Sequence, residues 1–271
     1  MSAESQWVTF KVAEETLGFE IQYVKEMLRL PEPHVVPHAA PDSLGVILLR
    51  SEVIPIFDLR RKFGMQDLYT QGSELCNLLR ARQRDHEEWL NELRRCAHEK
   101  EPFTLTTDPH QCKFGQWYDT FQSTQFDICR LLERFDQPHA AIHAVGAQVV
   151  KLQQEENFEA AAATSAKTIL DLMIVLFGDL ITEIEEKARP SLIVVGSAAC
   201  TLGVAVDEIS AVVRCRDDEI QPPDSIPGVD QFGGLIGLLP QKGTDKFIML
   251  LDPAQLYPQL ILRAKESPVA A

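Results

Sequence analysis

His139 and His143 stand four residues apart in a helix-forming stretch, so both imidazoles project from one face and can share a tetrahedral metal ion. Alone, an HxxxH pair is weak evidence. Its company strengthens it, because five of the seven histidines and four of the six cysteines fall between residues 71 and 189. Cys112 is read one turn inside a helix opened by Pro109, where the helix dipole and a nearby cation favour thiolate. His86, within His86-Glu87-Glu88-Trp89, can come from an earlier helix, while His98 and His110 could also approach a metal but are read as solvated histidines. Histidine and thiolate donors suit zinc. A hydrolytic zinc needs a position open to water, and this HxxxH encloses Ala140-Ala141-Ile142 with no glutamate base, so a zinc hydrolase is the less favoured reading. No Glu-x-x-His pair accompanies the site, which disfavours di-iron chemistry.

The elements that must position these groups have two textures. Between 71 and 189 the chain has only four glycines and three prolines, and helices are predicted at about 73–99, 109–134, 137–156 and 158–188. Asp108-Pro109 and Asp136 to Pro138 read as helix starts, with a capping carboxylate before a proline. Short loops between four helices predict an antiparallel bundle. Trp89, Phe114 and Trp117 read as its core around the site, and Cys76, Cys96 and Cys129 as inert thiols.

On either side the texture is β. Val8, Phe10 and Val12 alternate with polar residues, and Leu44–Arg50 and Val53–Asp58 are apolar runs about a Ser51-Glu52 turn. Strands are predicted again at Leu192–Val195, Leu202–Ile209, Val212–Cys215, Leu235–Leu239 and Phe247–Asp252. The β pattern is interrupted and then resumed, which predicts an insertion: a first part at 1–70, the helical domain at 71–189 and a second part at 190–271. Gly45–Leu49 with Ile54–Asp58 resembles Gly234–Leu238 with Phe247–Asp252, an internal echo that two similar small β-barrels would produce.

A formal net charge of −14 disfavours nucleic acid, which is held mainly by Lys and Arg on phosphates, and disfavours an anionic membrane surface. The longest apolar run, Leu172–Gly178, lies between Asp171 and Asp179, so neither a membrane span nor a secretory signal is expected. Unpaired cysteine spacing fits a reducing cytoplasm.

Two resemblances follow. Cys112-Lys113-Phe114-Gly115-Gln116-Trp117-Tyr118, His86-x-x-Trp89 upstream and His139-x-x-x-His143 downstream resemble the chemoreceptor zinc-binding (CZB) domain. That resemblance implies His86, Cys112, His139 and His143 as ligands of one zinc ion. It also implies Cys112 as the redox-sensitive atom, since some CZB domains respond to hypochlorous acid. The flanking segments resemble CheW in Val24-Lys25-Glu26, in Leu44–Arg60 and in Leu202–Ile209. CheW-like proteins are two five-stranded barrels without catalytic activity that bridge chemoreceptor tips to the regulatory domain of the histidine kinase CheA. By this resemblance Glu26 and Arg50 form a pair shaping the coupling surface, with Gly45 and Val46 beside it. The family's usual Asn-Leu-Arg-Gly-Glu stands here as Leu48-Leu49-Arg50-Ser51-Glu52, which strains Ser51 if the turn needs a positive φ.

The resulting expectation is an α+β, non-enzymatic chemotaxis scaffold: two barrels interrupted by an antiparallel four-helix zinc-binding bundle. A zinc that merely staples the bundle is the alternative. The sequence leaves oligomeric state open, a dimer through the helical domain among the options.

Overall fold

The computed structural model describes residues 4–123, 125–196, 200–223, 233–241 and 243–258, so the expected last part, 190–271, runs beyond the last described residue. The chain divides into two compact units, one from Met1–Thr70 with Arg189–Ala271, the other from Gln71–Ala188.

The first unit is β. Its strands are β1 (Glu4–Val12), β2 (Glu15–Glu20), β3 (Val24–Arg29), β4 (Ser43–Leu49), β5 (Glu52–Asp58), β6 (Ser191–Gly196), β7 (Thr201–Val206), β8 (Glu208–Arg216), β9 (Leu235–Pro240) and β10 (Phe247–Leu251). They form two five-stranded sheets, ordered β8-β1-β2-β10-β9 and β3-β6-β7-β5-β4. The expected barrels are corrected here: among the described residues neither sheet pairs its two edge strands to close on itself.

The two sheets repeat one plan. The antiparallel hairpin β4–β5 places β5 parallel to β7, and the antiparallel hairpin β9–β10 places β10 parallel to β2. Each hairpin ends in a capping aspartate: Asp58 accepts from the amide of Arg61 at the start of α1 (Leu59–Lys62), and Asp252 accepts from that of Ala254. The internal echo in the sequence is this repeated unit.

Period-two alternation distributes the core. Leu192 and Val194 of β6 enter a cluster with Ile47, Ile54 and Ile56, whereas Ile193 and Val195 enter a cluster with Phe10, Leu17, Phe19 and Phe57. A third cluster gathers Trp7, Cys215, Leu239, Ile248 and Leu250. Each sheet thus keeps one cluster of its own and contributes to the one they share.

Two local expectations change. The run Leu202–Ile209 is broken at Asp207, whose carboxylate takes both Arg60 Nε and Nη2 at 2.7 Å and the amide of Ala13 at 2.7 Å. Those bonds turn the backbone between β7 and β8. The β4–β5 turn is Arg50-Ser51 rather than Ser51-Glu52, with φ of 50° and 71°, and Leu49 pairs with Glu52 across it. Two successive positive φ values are what a tight hairpin needs to match strand twist.

The second unit is helical, but among the described residues its four expected helices are cut into six: α2 (Leu68–Glu99), which begins in the first unit's sequence, α3 (Lys113–Tyr118), α4 (Phe126–Glu133), α5 (Asp136–Gln154), α6 (Phe158–Ala163) and α7 (Lys167–Lys187). The stretch 109–134 is not one helix. Asp108 Oδ1 accepts from the amide of His110 in a turn, and a Cβ on Gly115 would lie 1.8 Å from the carbonyl oxygen of Pro109. Asp136 is likewise within α5, which has Phe135 at its N-cap and no side-chain cap. By length and composition α7 with the residues before it is apolar enough to cross a membrane, yet Leu170, Met173, Leu176, Phe177, Leu180, Ile181 and Ile184 bury one stripe of it in the unit's core. The chain ends its described part in α8 (Pro253–Leu256).

Candidate metal centre

Three segments of the helical unit bring the expected donors together. His86 comes from α2, His139 and His143 from successive turns of α5, and Cys112 caps the N-terminus of α3. One ligand atom from each lies within 4.8 Å of every other. Cys112 Sγ is 3.2 Å from His139 Nε2 and 4.0 Å from His86 Nε2. Donors about 2.0 to 2.3 Å from a tetrahedral zinc stand roughly 3.3 to 3.8 Å apart, so this spacing needs little adjustment.

The chemistry of the donors fits as well. His86 Nδ1 bonds the carbonyl oxygen of Arg82 at 2.8 Å, which fixes the ring and leaves Nε2 facing the cluster. Among the described residues, neither buried ring nitrogen of His143 has a hydrogen-bond partner. A buried polar atom left so is costly, and a metal bond is one way to satisfy it. Burial pushes His139 down to about 3 and His143 down to about 4, and lowers His86, so all three imidazoles are neutral at pH 7 and keep a lone pair to donate.

Cys112 departs from the expectation. It is the N-cap of α3, not a residue inside a helix, and its sulfur accepts from the amide of Gly115 at 3.2 Å. Burial still dominates and raises the thiol, with the bonds from Gly115 and Phe114 opposing it. Helix and cation alone therefore do not favour the thiolate here; a metal dication would.

Aromatic rings pack against the histidines. Phe114 meets His139 edge to face at 4.9 Å and His86 at 5.8 Å. Trp89 packs against His143 at 5.0 Å and donates Nε1–H to the carbonyl oxygen of Thr106 at 2.9 Å. The competing histidines are elsewhere: His110 Nδ1 lies 2.9 Å from Asp119 Oδ2 on the surface, and His98 is exposed near the end of α2. Cys76 and Cys96 are buried and Cys129 half-buried, all as free thiols. Sequence reasoning missed two supports, the Arg82 carbonyl and the Lys113–Asp85 ion pair at 3.2 Å. The second had a signal, since each partner neighbours a ligand in sequence.

In the β unit, Arg50 Nη2 lies 3.1 Å from Glu26 Oε1, with 80% and 29% of the two side chains exposed, a geometry worth little to stability. Gly45 has φ of 116°, and a Cβ there would lie 2.1 Å from the carbonyl oxygen of His34. Val46 exchanges both backbone hydrogen bonds with His34.

Comparison with known proteins finds two kinds of domain in the chain. Residues 6–84 and 168–260 match the CheW-like domain, and residues 86–150 match the chemoreceptor zinc-binding domain. Chemotaxis protein CheW of Treponema pallidum (strain Nichols) is 37% identical over 69 residues, which are 26% of this chain and 41% of that protein. The match thus spans about two-fifths of that relative's length. The crystal structure of the scaffolding protein TtCheW from Thermoanaerobacter tengcongensis is similar at 14% identity and a TM-score of 0.45, covering 94% of this chain and 93% of that one. With its two matched segments flanking a zinc-binding domain, the chain belongs to the CheW-like family.

Proposed function

We propose that this protein is a non-enzymatic cytoplasmic chemotaxis scaffold, coupling chemoreceptor tips to the regulatory domain of the histidine kinase CheA, with zinc held in an inserted domain, residues 71–189, by His86, Cys112, His139 and His143. The observation that carries the reading is the convergence of those four donors within 4.8 Å in a chain whose flanks match the CheW-like domain. The coupling surface includes Glu26, Gly45, Val46 and Arg50. Three histidines and a cysteine fill a tetrahedron, which favours a sensor or staple over hydrolysis.

Bound zinc would supply the positive charge that keeps Cys112 deprotonated. A thiolate is the form that oxidants attack. With hypochlorous acid, Cys112 Sγ takes chlorine as the Cl–O bond breaks and hydroxide leaves; water then displaces chloride, giving sulfenic acid. The net change is thiolate plus hypochlorous acid to sulfenic acid plus chloride. An anionic donor becomes a weak one, so the remaining three histidines hold a dication less tightly.

The test is a pull-down of the kinase's regulatory domain and a receptor tip by the zinc-loaded chain, before and after substoichiometric hypochlorous acid, with oxidised residues located by peptide mass spectrometry. Binding of both partners, altered when Cys112 is oxidised, supports the reading. Binding unaffected by Cys112 oxidation leaves the zinc a structural staple, and no binding defeats the scaffold.

A further inference from the structure

Cys112 is half-buried, whereas His86, His139 and His143 are only 3%, 6% and 1% exposed. A half-open cleft of about 500 Å3 meets the site on this side, with His86, Cys112 and His143 in its wall. Asp85, Glu88, Glu92 and Lys113 supply the charges of its lining. Lys113 is already paired with Asp85 at 3.2 Å. Arg82 and Arg95 pair with Asp85 and Glu92 without lining the cleft, so carboxylates outnumber cations along its wall.

We propose that this cleft is the passage by which small electrophiles reach Cys112 Sγ, and that its acidic lining admits uncharged reagents and discriminates against anions. The proposal rests on the reading of Cys112 as the reactive sulfur and adds the route and its selectivity. An uncharged molecule enters without breaking the Lys113–Asp85 pair. An anion meets the exposed carboxylate of Glu88, while Asp85 and Glu92 are held in ion pairs with Arg82, Lys113 and Arg95 and the ammonium of Lys113 that would attract it is occupied. Charge around a concave entrance acts on the rate of encounter and weakens with salt.

The experiment treats the zinc-loaded full-length chain with three methanethiosulfonate reagents: neutral methyl, cationic trimethylammonioethyl and anionic sulfonatoethyl. In each, the cysteine sulfur displaces methanesulfinate and forms a mixed disulfide, so the chemistry is shared and only the carried group differs. Peptide mass spectrometry reads the rate at Cys112. At low ionic strength the anionic reagent should be slower than the neutral one by about tenfold, the gap closing in high salt. Leu105→Trp, at a lining residue 46% exposed, should slow all three at unchanged zinc content. Glu88→Lys, at an exposed residue of the lining, should restore the anionic reagent without narrowing the cleft. Equal rates for the three reagents, with neither substitution changing them, overturn the passage while leaving Cys112 reactive. No modification of Cys112 by any reagent overturns the passage and the reading beneath it together.

Discussion

Gly146 lies beneath the indole of Trp89 so closely that a Cβ at 146 would stand 2.6 Å from Trp89 Cη2 and 2.7 Å from Cζ2. The contact joins α5 to α2 one turn beyond His143, and Trp89 is also the ring that packs on His143. Gly146→Ala should therefore destabilise the helical unit by about 1–3 kcal/mol, as overpacking does. The sign is diagnostic, because alanine in an exposed helix interior would stabilise by about 1 kcal/mol over glycine. Thermal unfolding of the variant decides; a raised midpoint would show that Trp89 can move without cost.

Zinc should be present at about one ion per chain, since the four donors form a single borderline-soft set. Cys112→Ser and His143→Ala should each weaken binding severely, the first by removing the anionic donor, the second by removing one of the three imidazoles of the set. Elemental analysis after dialysis checks this. Full occupancy in both variants would end the assignment of these ligands.

How much of this was legible in the sequence follows from where each cause lies. The His139–His143 pair was readable because its cause, the helical period, is local. Bringing Cys112 and His86 to it required motif order, since the three segments meet only by tertiary packing. The predicted helix 109–134 is longer than the observed ones because residue propensities do not reveal that Gly115 must approach the Pro109 carbonyl. The break at Asp207 was invisible for the same reason: its partner, Arg60, is 147 residues away in the chain. Strand alternation gave the sheets, but whether a sheet closes depends on edge pairing, to which a pattern of apolar residues is blind.

Ser51 holds φ of 71° at the β4–β5 turn, in the left-handed region that suits glycine. A side chain there costs about 1 kcal/mol or more, so Ser51→Gly should stabilise the β unit by about 0.5–1 kcal/mol. The Arg50–Glu26 pair should survive, as the turn keeps its shape. A shift of the urea midpoint to higher concentration is the expected result, and a shift downward would show that the serine is unstrained.

Asp67 caps α2: its carboxylate accepts from the amide of Thr70 at 2.8 Å and from Arg61 Nη2 at 2.9 Å. Burial pushes its pKa up, but the bonds from Thr70 and Arg61 win and hold it below the usual carboxylate value. Its contribution to stability is thus fully present above pH of about 4, where the unfolded group is ionised, and is lost as pH falls through the lower folded value. Asp67→Ala should cost about 1 kcal/mol at pH 7 as a lost cap, and the difference from the parent should shrink toward pH 2. Denaturant unfolding at a series of pH values measures it; a difference that stays constant to pH 2 would mean that the charge does not matter.

The interrupted β unit should fold without the helices. Among the described residues its three apolar clusters draw only on residues before 70 and after 189, and the cluster of the helical unit runs from Cys76 to Ile184. The points where the chain leaves and returns are also anchored within the β unit. Asp67 is held by Arg61, while Arg189 and Pro190 offer their carbonyl oxygens to Arg29 Nη1 at 2.8 Å and to the amide of Leu30 at 3.1 Å. A chain joining 1–70 to 189–271 through a short glycine-serine linker keeps all of these contacts, and closing a short flexible loop costs little. Circular dichroism should show strand signal with little helix and a cooperative unfolding transition. If the joined chain is unfolded, the helical segment is needed for the β unit to fold, and residues 71–189 are not an independent insertion.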